Sequence, residues 1–156
     1  ISNDIVGAQL AGALKNVIAI ACGIAHGMEL GDSTRARLVT RGLAEIARLG
    51  AKMGAHYETF LGLSGVGDMM LTCSSLSSRN FSLGYALGHG ENLESILSSR
   101  KTVAEGVHTA ESAIILAKKY RAEMPISMAV HNCLHGSLSL DELITEMLNR
   151  PVGHEL

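Results

Sequence analysis

With 156 residues the chain has the size of one domain, large enough to bury roughly 70% of the surface that its unfolded form exposes. It is 47% hydrophobic but only 3% aromatic, so its core must come from Leu, Ile, Val, Ala and Met, a palette that favours packed helices over a sheet. A net charge of -2 without any basic run argues against a nucleic-acid partner.

From Asp4 to about Met28, the residues Val6, Leu10, Leu14, Val17, Ile18, Ala21 and Ile24 recur at helical spacing, with Asp4 placed as N-cap and Gly27 or Gly31 as the stop. This helix is apolar nearly all round, which predicts a central position covered by other helices. Gly31-Asp32-Ser33-Thr34 interrupts the pattern and restarts it as an amphipathic helix. Leu38, Val39, Leu43, Ile46 and Leu49 lie on its dry side and Arg35, Arg37, Arg41, Glu45 and Arg48 on its wet side. A short helix at Tyr57 to Leu61 leads into GLSGVGDMMLTCSSLSSRN, residues 62–80, which reads as loop, short helix, loop. Phe81 to Leu87 and Leu93 to Leu97 are two small helices joined by Gly88-His89-Gly90. After the extended KTVAEGV, helices run from His108 to Tyr120 and from Pro125 to about His135, and Ser139 or Asp141 caps the last one. No strand alternation persists long enough to build a sheet. The expectation is an all-α multi-helix bundle of about eight helices in a single domain.

Cys22, Cys73 and Cys133 are odd in number and widely spaced, which argues against a disulfide framework and against a Cys-x-x-Cys zinc or redox site. The seven histidines include no His-Glu-x-x-His pair, so no metal is expected. The longest unbroken apolar run, Val17 to Cys22, is far shorter than the ~18 to 20 residues that a bilayer requires, so neither a membrane span nor a secretory leader is expected and a cytoplasmic location is. Met69, Met70, Met124, Met128 and Met147 occupy apolar positions and read as core filler. A start at Ile and an immediate helical pattern suggest an excised domain.

Positions three, four and seven away from Lys15 are Ala8, Ala11, Gly12, Ile18, Ala19 and Cys22, a mostly small stripe without a carboxylate. Lys15 therefore either snorkels to solvent along this stripe or faces a cleft, where desolvation suits an ammonium that gives and retakes a proton. Asn16 is either a core amide bonded to a neighbouring helix or a ligand contact. Asp68, just after Gly65 and Gly67, is a helix N-cap or a site carboxylate. Gly62, Gly65 and Gly67 do not make a dinucleotide fingerprint, because the spacing is wrong and no strand precedes them. Ser78, Arg79 and Asn80 place a hydroxyl, a guanidinium and an amide before a helix start, a set that suits a phosphate but also serves as ordinary capping. Glu105 in TVAEGV favours the positive end of the next helix in the plainest reading.

Taken together, GALKN, GVGDMMLTC, SRN ten residues after Asp68, and TVAEGV resemble the C-terminal helical domain of the NAD(P)-dependent glycerol-3-phosphate dehydrogenases. The stretch Gly31 to Glu45 is similar to the same family, and the resemblance spans nearly the whole chain. It implies a 6-phosphogluconate dehydrogenase C-terminal-like fold and reversible hydride transfer between NAD or NADP and the substrate, interconverting dihydroxyacetone phosphate and sn-glycerol 3-phosphate. By that match Lys15 is the general acid and base. Lys15, Asn16, Asp68, Ser78, Arg79 and Asn80 bind substrate, while Arg79, Val103 and Glu105 line the cofactor. Two departures are small: Gln9 stands where many relatives carry Glu, and Phe81 follows SRN where a basic residue is common. The larger one is that nothing here resembles the family's N-terminal Rossmann domain, so the resemblance implies that domain as a partner and an inactive isolated chain. Two other readings stay open. One is the helical substrate domain of another NAD(P)-dependent 2-hydroxy acid or alcohol dehydrogenase. The other is a non-catalytic dimerisation module, since the composition permits a homodimer.

Overall fold

The computed structural model describes residues 3–102 and 104–149, which form nine α-helices, one π-helical turn and no strand. In chain order these are α1 (Ile5–Gly27), α2 (Asp32–Lys52), α3 (Tyr57–Leu61), the π turn (Leu63–Gly67), α4 (Asp68–Thr72), α5 (Arg79–Gly88), α6 (Leu93–Ser99), α7 (Glu105–Tyr120), α8 (Pro125–Leu134) and α9 (Leu140–Leu148). The all-α expectation holds, with one helix more than anticipated. α7 begins at Glu105 rather than His108, because the first turn of that helix is docked on its neighbours.

The apolar periphery of α1 dictates its place. Leu14, Val17, Ile18, Ile20 and Ile24 are buried, and α2, α5, α7 and α8 surround the helix. Burial of each such side chain contributes about 1.5–3 kcal/mol. By length and composition α1 could cross a membrane, but here most of it is covered by the other helices, the position of a core helix. Asp4 caps it as anticipated, accepting from Gly7 N–H at 2.8 Å. The same carboxylate accepts from His56 N–H at 2.8 Å and Thr59 Oγ1 at 2.7 Å, tying α1 to the start of α3. These bonds hold its pKa below the usual 3.8, the one from Gly7 most of all.

Two pairs of glycines spaced by four join α1 to α5. A Cβ on Gly23 or Gly27 would overlap the carbonyl oxygens of Phe81 or Tyr85, and one on Gly84 or Gly88 those of Ile20 or Ile24. The backbones therefore touch. Contacts rise together along both helices, so α1 and α5 run in the same direction, and the N-terminus of α5 lies beside the Lys15–Asn16 level of α1.

The wet side of α2 needs correction at Glu45, which is 2% exposed. Its carboxyl accepts from Ile126 N–H at 2.5 Å, Ser127 N–H at 3.2 Å and Ser127 Oγ at 3.2 Å, closing the N-terminus of α8. Burial nonetheless outweighs these bonds and pushes its pKa up from 4.5 to about 7. Several basic residues of α2 also serve packing. Arg37 and Arg41 donate to the Leu148 and Met147 carbonyls at the end of α9, while Arg48 and Lys52 donate to the Glu123 and Arg121 carbonyls between α7 and α8. Among the methionines, Met69, Met124 and Met147 are core, but Met70 is 61% exposed.

Candidate active site

Lys15 acquires the partner that its own helix lacks. Its Nζ donates to Asp68 Oδ2, an ion pair joining α1 to α4. Local packing explains how Asp68 comes to be there. Gly65 lies so close to Phe60 that a Cβ would overlap the Phe60 backbone, and this wound π turn delivers Asp68 as the first residue of α4. Asp68 does not cap that helix: its side chain turns to Lys15. The small stripe is only partly a clearance. Ala11 and Ala19 are buried in the core, whereas a Cβ on Gly12 would meet nothing within 4 Å.

One helix face along, Asn16 Nδ2 donates to Glu105 Oε2 at 3.4 Å, and Glu105 Oε1 pairs with Arg79 Nη2 at 3.6 Å. The Arg79 and Glu105 side chains are 57% and 66% exposed, so this part of the site is an open face. Ser78 is the N-cap of α5, its Oγ accepting from Phe81 N–H at 3.3 Å, which leaves the hydroxyl proton to donate elsewhere. Asn80 is buried at 6% exposure and its Oδ1 accepts from Gly106 N–H at 2.7 Å. Thus α1, α4, α5 and the start of α7 bring Lys15, Asn16, Asp68, Arg79, Asn80 and Glu105 into two linked clusters, with Ser78 at their edge. Val103 lies outside the described residues.

A cavity of about 1070 Å³ meets this group only at Asp68. Asp4, His56, Thr59, Leu63 and Leu71 are among its other walls, and Leu63 and Leu71 are exposed, as are Leu61 and Met70 in the same segment of the chain. On the inner side of the pair, Cys73 and Cys22 are buried free thiols. Their mutual hydrogen bond, and then burial, drive the Cys73 pKa upward, so Cys73 stays a thiol. Arg100 was not singled out from the sequence. It donates to the Arg79 carbonyl at 3.1 Å and to Ser82 Oγ at 3.0 Å, bracing the first turn of α5.

A family model for the C-terminus of NAD-dependent glycerol-3-phosphate dehydrogenase matches residues 4–145. The chain belongs to this family. Glycerol-3-phosphate dehydrogenase [NAD(P)+] of Rhodospirillum rubrum is 54% identical over 154 residues, covering 99% of this chain and 44% of that protein. A crystal structure of glycerol-3-phosphate dehydrogenase from Coxiella burnetii superposes with a TM-score of 0.92 at 40% identity, over 96% of this chain and 46% of that one. A structure of DsGPDH from Dunaliella salina, at 22% identity and a TM-score of 0.80, shares the fold over 98% of this chain and 28% of its own. The chain thus spans about half the length, or less, of the relatives it matches.

Proposed function

We propose that this glycerol-3-phosphate dehydrogenase C-terminal domain is the substrate-binding and proton-transfer half of an enzyme that interconverts dihydroxyacetone phosphate and sn-glycerol 3-phosphate, working with a dinucleotide-binding Rossmann domain in the cytoplasm. The observation that carries the reading is the Lys15–Asp68 ion pair, next along α1 to Asn16, which Glu105 links to Arg79 at the start of α5. In reduction, Lys15 donates its proton to the alkoxide that develops as hydride reaches the carbonyl carbon, and as a cation it stabilises that charge beforehand. In oxidation the neutral amine takes the hydroxyl proton back. Asp68 aims the ammonium and, through its second oxygen, receives a substrate hydroxyl. The phosphate end is served by the Arg79 guanidinium, the Ser78 hydroxyl, the free N–H groups of the first turn of α5, and the Asn80 and Asn16 amide groups not taken by other bonds.

NAD or NADP supplies the hydride when bound. Arg79 and Glu105, exposed side by side on the open face, fit as a cation and an acceptor for its polar groups, and the family resemblance adds Val103 as a further cofactor contact. Nothing among the described residues forms the strand-to-helix phosphate loop of a dinucleotide fold, so the main cofactor contacts are assigned to the partner domain. The exposed Leu63 and Leu71, which share a cavity with Asp68, support a covering domain there, and the greater length of the relatives makes room for one. Three free thiols suit a reducing compartment.

The test is to join the chain to its own dinucleotide-binding segment and follow reduction of dihydroxyacetone phosphate by NADH and by NADPH. Turnover with that substrate, and none by the isolated chain, is expected. Preference for an unphosphorylated 2-hydroxy acid, or tight nicotinamide binding by the isolated chain in calorimetry, would overturn the reading.

A further inference from the structure

Resting on that functional reading, we infer that Asn80 is a positioning residue: its bond to the start of α7 sets Glu105, and Glu105 in turn aims Arg79 and Asn16. The Asn80–Gly106 bond is the short, buried member of the cluster, at 2.7 Å. The contacts of Glu105, at 3.4 Å to Asn16 and 3.6 Å to Arg79, are longer and more exposed, and surface pairs of that kind do not fix a geometry unaided. Something must hold the carboxylate where one oxygen reaches α1 and the other α5. Gly106 follows Glu105 directly, and its N–H is one of the donors that the first turn of α7 leaves without a helical partner.

Ala104, the N-cap of α7, has no side-chain oxygen to supply, so Asn80 from α5 takes over the capping task across the interface. The docking is tight on three sides. A Cβ on Gly106 would come within 2.7 Å of Asn80 Oδ1, 2.8 Å of the Asn16 carbonyl oxygen and 2.8 Å of Ile20 Cδ1. Only glycine lets this turn sit between α1 and α5, and only an acceptor at position 80 registers it there. The guanidinium next to Asn80 is thereby oriented by a residue from another helix, whose placement Asn80 itself controls.

Amide hydrogen exchange on the full chain tests the brace without any ligand. Asn80→Ala is expected to speed exchange at Gly106 about tenfold or more relative to Ala113 and Ala117 in the same helix, while Asn80→Asp, which keeps the acceptor, restores protection. Gly106→Ala deletes no polar side chain but forces the turn away from Asn80, and so offers a second route. In the chain joined to its dinucleotide-binding segment it should raise KM for dihydroxyacetone phosphate about tenfold with a much smaller change in kcat, and shift the Arg79 Nε–H signal in NMR spectra. Equal Gly106 exchange in wild type and Asn80→Ala would overturn the inference, as would an unchanged KM and Arg79 signal in Gly106→Ala. Absence of turnover in the joined wild-type protein would instead overturn the functional reading alone, because the exchange rates need no substrate.

Discussion

Glu45→Gln makes the buried carboxyl of α2 uncharged at every pH, and the structure sets the size and sign of the result. Burial lifts the Glu45 pKa from 4.5 to about 7 despite three donors at the head of α8. Between those values the folded chain holds a proton that the unfolded chain releases. The stabilisation is therefore complete below the unfolded value and is lost as pH rises through the folded one. At 1.36 kcal/mol per unit, the loss is on the order of 3 kcal/mol by pH 8. Glutamine mimics the protonated form. Urea unfolding at pH 5 should thus give similar midpoints for the two proteins, whereas at pH 8 the variant should unfold at a midpoint higher by roughly 1 M or more. A wild-type-to-variant difference that stays constant from pH 5 to 8 would refute the reasoning, since Glu45 would then not be titrating in the folded chain.

The glycine seam predicts a contrast between glycines inside and outside it. Gly84→Ala and Gly23→Ala should each cost about 1–3 kcal/mol or more, because the new Cβ meets backbone, while Gly12→Ala should gain about 0.5–1 kcal/mol. Thermal unfolding measures all three. Asp4 works in the opposite pH sense to Glu45: its lowered pKa means that its stabilisation is present above pH 3.8 and lost on further acidification. Removing it in Asp4→Asn should flatten the acid limb of the stability curve. Asp68→Asn should leave the fold intact and lower kcat of the joined enzyme, because the Lys15 ammonium loses the carboxylate that aims it.

What could be read from the sequence was what is local. The helical period of α1, the Asp4 and Ser139 caps and the Pro125 start depend on residues a turn apart, and each appears in the structure. Resemblance supplied Lys15, Asp68, Ser78, Arg79, Asn80 and Glu105 as a set, and the fold brings them together. The misreadings share a cause. Glu45 looked solvated because the helix terminus it closes lies 81 residues away. Gly27 does end α1 and Gly88 ends α5, but each also marks a backbone contact between the two helices that neither helix reveals alone. Asn80 and Gly106 belong to different motifs, and nothing in either one says that they touch.

The central claim is that Lys15 moves the proton. Its direct measurement is the rate of dihydroxyacetone phosphate reduction by the joined protein carrying Lys15→Ala, beside wild type at equal cofactor saturation. A loss of roughly 100- to 10,000-fold in kcat with the fold retained is the predicted result. Turnover within a few fold of wild type would contradict it and leave Lys15 as no more than the structural partner of Asp68.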